Sequence, residues 1–181
     1  MSDTVPPGTA LDVGCGDGVL TRGIAAHRRP VIGVDFAVAA LRRGRDLYGD
    51  EEDVAFAAAA APRLPFKANA FSFVFDRGCM HNLPPGTWPA YLEEMSRVLA
   101  PGGVFELWFT GNVVAPKTSD RLLRRVKQSL GKAKPREFTP ERLGQNLPAT
   151  LDILGWEQIP YRMRTGQPIV FDRFVLRKRA A

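Results

Sequence analysis

Three glycines, each two residues apart, follow a short apolar run in Leu11-Asp12-Val13-Gly14-Cys15-Gly16-Asp17-Gly18. Glycine lets backbone approach a bound group closely and takes torsions that a side chain forbids. A helix opening at Gly18 adds unpaired N–H groups and the positive end of its dipole. A dinucleotide fingerprint needs its third glycine one position later, where this chain has Val19, and that disfavours a nicotinamide oxidoreductase. Asp35 lies seventeen residues beyond Gly18, at the end of a second apolar run. A carboxylate there can accept two hydrogen bonds from ribose hydroxyls. Further on, Asp76-Arg77-Gly78-Cys79-Met80-His81-Asn82 brings a carboxylate and an imidazole together. His81 is the best proton acceptor of that stretch, because imidazole titrates near neutral pH; the alternative is packing or hydrogen bonding within the loop. Asp76 either orients a substrate or pairs with Arg77. No cluster of Cys and His has metal-ligand spacing, so no metal site is expected.

The elements that must position these residues alternate. Thr9 to Val13, Val31 to Val34, Val54 to Ala58, Phe71 to Phe75 and Val104 to Phe109 read as short buried strands. Gly18 to His27, Ala37 to Tyr48 and Trp88 to Leu99 read as helices between them, the last with Tyr91, Leu92, Met95, Val98 and Leu99 turned inward. Ser119 to Leu130 and a segment opening at Thr139-Pro140-Glu141 are further helix candidates. Trp156 to Arg164 and Ile169 to Leu176 lack an intervening helix, so they form an antiparallel hairpin at one sheet edge.

The glycine segment resembles motif I of the class I methyltransferases. Val31-Ile32-Gly33-Val34-Asp35 is similar to their second-strand motif, and Leu64-Pro65-Phe66 with Phe71 to Phe75 to their fourth-strand segment. Arg97-Val98-Leu99-Ala100-Pro101-Gly102-Gly103 resembles the turn before their fifth strand. The resemblance spans residues 9 to 110 and implies an α/β fold: a Rossmann-like three-layer sandwich. Its mostly parallel sheet would have seven strands and a C-terminal antiparallel hairpin. It also implies S-adenosylmethionine as cofactor, S-adenosylhomocysteine as product, and methyl transfer to an O, N or S nucleophile of a small metabolite, anionic ones included. On this basis Asp12, Gly14 and Gly16 hold the methionine end of the cofactor, with Cys15 and Gly18 completing the loop. Asp35 binds the ribose hydroxyls, Phe36 packs near the adenine, and Ala60 to Leu64 border its edge. Asp76, Arg77 and Gly78 lie near the reactive methyl group. Relatives often carry an acid where this chain has Ala60, which leaves adenine recognition to backbone and packing.

Length and composition fit this reading. The 181 residues are 45% hydrophobic and 24% charged, as expected of one domain with one core. No apolar run is long enough for a membrane helix. The start, Met1 to Gly8, lacks a basic region followed by an apolar stretch, so no secretory signal is expected. Two cysteines outside any pairing motif fit reduced thiols and a cytoplasmic location. The net charge of +6 resides in one segment: Lys117 to Arg136 carries eight basic residues and one acid. The stretch at about 111 to 138 is therefore read as a basic, lid-like insertion, whose charge is a solvated face, a seat for an acidic small molecule, or a contact for nucleic acid. An RNA methyltransferase using residues 117 to 136, and a catalytically silent scaffolding domain, are the alternatives. Only ten residues precede Leu11, where relatives often place capping helices, so an open site that admits a large substrate, or an oligomer in which another chain closes it, is also in view.

Overall fold

The computed structural model describes residues 5–27, 30–110, 138–162 and 168–180. Parallel strands β1 (Ala10–Val13), β2 (Val31–Asp35), β3 (Val54–Ala58), β4 (Phe71–Arg77) and β5 (Leu99–Thr110) form most of one sheet. Antiparallel β6 (Leu151–Arg162) and β7 (Pro168–Lys178) complete it, in the order β3-β2-β1-β4-β5-β7-β6. This is the expected Rossmann-like arrangement. The strand order reverses direction between β1 and β4, the place where open sheets of this kind bind ligands beyond their strand ends.

Helices cover both faces. Ile24 and Ala25 of α1 (Val19–Ala25) pack with Ala10, Val31, Phe73 and Phe75. On the other face, Tyr91, Leu92 and Met95 of α3 (Trp88–Val98) pack with Leu11, Val74, Phe105 and Leu107. Successive residues of β1 and β4 thus enter opposite layers, which is why these strands read as unbroken apolar runs. α2 (Val38–Tyr48) lies beside β3, and the short α4 (Pro140–Gly144) starts where expected, with Thr139 Oγ1 accepting from the Arg142 N–H at 3.3 Å.

Two strands begin five residues before the sequence predicts. β5 begins at Leu99, because Pro101-Gly102-Gly103 bulges within it and does not end it: Phe71 pairs with Leu99 and Phe73 with Val104. β6 begins at Leu151, with a register shift between Ile153 and Gly155 that pushes Leu154 outward. The helix read at Ser119 to Leu130 and the basic segment at 117 to 136 lie outside the described residues.

Arg97 ties the irregular chain before β4 to α3. Its guanidinium donates to the carbonyls of Leu64 and Phe66 and to Glu94, whose carboxylate also accepts from the Leu64 N–H. A second ion pair locks the antiparallel edge. Arg173 donates through two nitrogens to the buried Glu106 at 2.9 and 3.0 Å, and also pairs with Glu157. Arg173→Ala leaves that carboxylate buried with one remaining side-chain donor, Trp108 Nε1. It is expected to lower unfolding stability by about 3 kcal/mol. Replacing Glu106 and Arg173 together by Leu should recover most of that loss. Chemical denaturation of the single and double variants checks both statements.

Candidate active site

At the C-terminal end of β1, the N–H groups of Gly14 and Cys15 both donate to the Val34 carbonyl, at 2.8 and 3.0 Å. This folds the glycine loop across the top of β2. Gly14 has φ +71° and is exposed; a Cβ there would lie 2.8 Å from the Cβ of Cys79. Gly16 has φ +58° and open space in front of it. Its N–H donates to Asp35 Oδ2 at 2.9 Å, while Oδ1 accepts from the Ala37 N–H at 2.8 Å. Asp35 is thereby fixed with one bond to each oxygen. A carboxylate has about four acceptor positions, so capacity remains for two ligand hydroxyls. Phe36 is 79% exposed beside it and offers a flat apolar face.

The turn after β4 forms the opposite wall. Asp76 is fully buried and accepts from the N–H of Cys79 (2.7 Å), the N–H of Met80 (2.9 Å) and the hydroxyl of Tyr91 (2.7 Å). Burial raises its carboxyl to about 6, against the pull of these three donors. Asp12, on the α1 side of the sheet, is 2% exposed and accepts from Thr21 Oγ1 at 2.7 Å. Burial raises it to about 7. The same cause pushes the thiols of Cys15 and Cys79 up to about 12, so neither is a ready nucleophile.

His81 sits on a single 3-10 turn, Met80–Asn82. Its Cε1 would be 3.1 Å from a Cβ at Gly78, and its Nδ1 is 3.3 Å from Thr110 Oγ1. With Asn82, Trp88, Phe109, Thr110 and Phe138 it lines a cavity of about 220 Å³. A wider depression of about 770 Å³ between Gly102, Asp152 and Arg179 lies at the other end of β5, away from the glycine loop.

Residues 10–103 match the model of a family described as a methyltransferase domain. The chain belongs to this methyltransferase family. It is 34% identical over 122 residues to a demethylmenaquinone methyltransferase of Staphylococcus aureus, covering 66% of this chain and 46% of that one. The chain thus spans about half the length of the curated relatives it matches. Among solved structures, an S-adenosylmethionine-dependent methyltransferase of Methanosarcina mazei superposes with TM-score 0.72 at 18% identity, over 97% of this chain and 94% of that one. The 1,6-didemethyltoxoflavin-N1-methyltransferase of Burkholderia thailandensis, solved with 1,6-didemethyltoxoflavin and S-adenosylhomocysteine bound, gives 0.70 at 20% identity, over 96% and 72%. The family's cofactor is S-adenosylmethionine. The open space at Gly16, the spare acceptor positions of Asp35 and the bare face of Phe36 fit a ligand with a ribose and a flat base.

The structure redistributes several residues singled out from the methyltransferase motifs. Gly14, Gly16, Asp35 and Phe36 gather on the open side of the loop, and Ala60 is exposed, bridging to Arg63. Arg77 ends β4 half-buried, paired in register with Trp108. Asp12 does not reach the open side: it is sealed beneath the loop, where Thr21 ties it to α1. Cys15 is buried as well. At Gly18 a Cβ would lie 2.4 Å from the ring of Phe56. Asp76 neither pairs with Arg77 by hydrogen bond nor faces the cavity; its carboxylate is spent on the turn that carries His81. Tyr91 and Thr21 are the residues that sequence reasoning passed over. The signal for Tyr91 was a tyrosine on the inner face of a helix, whose hydroxyl needs a buried partner.

The native carboxyls of Asp12 and Asp76, at about 7 and about 6, stand above the ordinary 3.8. Between those limits the native chain holds more protons than the unfolded one, so stability falls as pH rises from about 4 to about 7 and levels off above. Asp12→Asn keeps an oxygen for Thr21 and removes the titration. It is expected to flatten that fall and to raise the denaturation midpoint at about pH 8. Melting curves across this range check it, and an undiminished fall contradicts it.

Proposed function

We propose that this chain transfers the methyl group of S-adenosylmethionine to an oxygen, nitrogen or sulfur nucleophile of a small metabolite. One observation carries the reading. The turn from Arg77 to Asn82 has the glycine loop against one side, through Gly14 and Cys79, and the cavity against the other, through His81. A cofactor seated at Gly16 and Asp35 and an acceptor seated in the cavity are thereby neighbours across one short segment. The match to demethylmenaquinone methyltransferases supports the same reading.

When bound, S-adenosylmethionine supplies a methyl group already activated by its sulfonium. The protein's part is then to bind, align and exclude water, and to take a proton where the acceptor carries one. Asp35 receives ribose hydroxyls on its two remaining acceptor positions. Gly14 and Gly16 keep the loop low, so that a ligand can lie across it. His81, held beside Thr110 at the cavity wall, accepts the acceptor's proton. Asp76 and Tyr91 hold the turn and so set where the imidazole stands.

Calorimetric titration with S-adenosylhomocysteine tests the cofactor half. Wild-type protein is expected to bind, and Asp35→Ala to weaken binding at least tenfold, about 1.4 kcal/mol. Absence of binding by the wild type overturns the proposal. For the proton acceptor, His81→Ala is expected to lower turnover about a hundredfold with cofactor affinity within about twofold. Unchanged turnover removes His81 from the role.

A further inference from the structure

The cavity beside His81 has an unusual wall. Phe109 and Phe138 stack face to face, with centroids 3.6 Å apart and planes within 8°. Trp88 stands edge-on to both, at 79° and 76°. The indole N–H of Trp88 is already donated to the Leu83 carbonyl at 3.3 Å, so the tryptophan presents only carbon to the cavity. The polar lining comes from His81, Asn82 and Thr110, and no charged side chain is among the described lining residues. The Asn82 carboxamide N–H is turned away to the Gly78 carbonyl.

Resting on the methyltransferase reading above, we propose that the acceptor is a planar aromatic hydroxyl compound of one or two rings, with its hydroxyl directed at His81. An engineered cavity of about 150 Å³ holds benzene, so about 220 Å³ holds a ring with substituents or two small fused rings. A cavity lined by Trp88, Phe109 and Phe138 favours a flat aromatic partner over a saturated one of equal size, because ring–ring contact exploits the ring quadrupole. An imidazole titrates near neutrality and can take the proton of a phenol, which ionises near pH 10 as tyrosine does; an alkyl alcohol is a far weaker acid.

The transfer balances simply. The phenolic oxygen bonds to the methyl carbon while the carbon–sulfur bond breaks, and that electron pair stays on sulfur. The phenolic proton passes to His81 and on to water. The products are an aryl methyl ether and S-adenosylhomocysteine.

The test is calorimetry on the full chain at saturating S-adenosylhomocysteine, with β-naphthol and its saturated counterpart decahydronaphthol as probes. β-Naphthol is expected to bind at least tenfold tighter than the saturated alcohol. Phe138→Leu removes one wall and should abolish that preference. Thr110→Phe alters an exposed residue, fills the cavity from its rim and should block β-naphthol while S-adenosylhomocysteine still binds. Equal binding of the two probes, or β-naphthol binding that survives Thr110→Phe, overturns the proposal. The S-adenosylhomocysteine titration is run first; failure at that step overturns the methyltransferase reading itself, and is distinguishable from failure of the aromatic assignment alone.

Discussion

The carboxylate of Asp76 stands at the end of β4 with no exposure to solvent, in register with Val13 at the end of β1. Two backbone N–H groups and the Tyr91 hydroxyl converge on it. A charge so placed is costly unless its acceptor positions are filled. Filling them forces the chain after β4 into one tight turn, and that turn fixes Cys79 against Gly14 and His81 over Gly78. The wall that meets the glycine loop at Gly14 and the floor of the aromatic cavity both follow from this one buried group. Tyr91 links the group to α3, whose first residue, Trp88, is itself a cavity wall.

The rest of the fold braces the two sides of that turn. Asp35 holds the loop from β2 through the Gly16 N–H, and Asp12 holds α1 from below through Thr21. On the far side, β7 pairs with β5 from Thr110 back to Val104, with Arg173 and Glu106 bonded across the strands. Lys178 donates to the carbonyls of Ser96 and Leu99, closing the sheet edge onto the end of α3. The rigid parts are strands and buried bonds, and the acceptor side is lined by residues at their ends. Scaffolds of this kind keep their cofactor seat while the acceptor seat varies.

Much of this was legible in the chain. The glycine spacing, Asp35 and the Pro101-Gly102-Gly103 turn carried the fold and the cofactor, because each is a local demand of backbone geometry that only certain residues meet. Asp76 and Asp12 were visible as acids near the site, but their burial was not. A carboxylate at a strand end reads the same whether it faces solvent or inward donors; the turn after β4 and the approach of α3 decide for Asp76, and the approach of α1 for Asp12. The cavity was hidden for a different reason. Trp88, Phe109 and Phe138 are far apart in sequence, and each alone reads as an ordinary core residue. Gly18 shows a second demand on a motif glycine, close packing against the ring of Phe56.

The central claim is that one turn joins the cofactor loop to the acceptor cavity. The chain has two histidines, which makes the claim open to direct observation. His81 lies on that turn, while His27 follows α1, its backbone bonded to Ile24. Side-chain resonances of the two imidazoles, followed by NMR during titration with S-adenosylhomocysteine, report on each separately. The account predicts that the His81 signals move as the cofactor product binds, while those of His27 stay in place. Binding that leaves the His81 signals unmoved would contradict it.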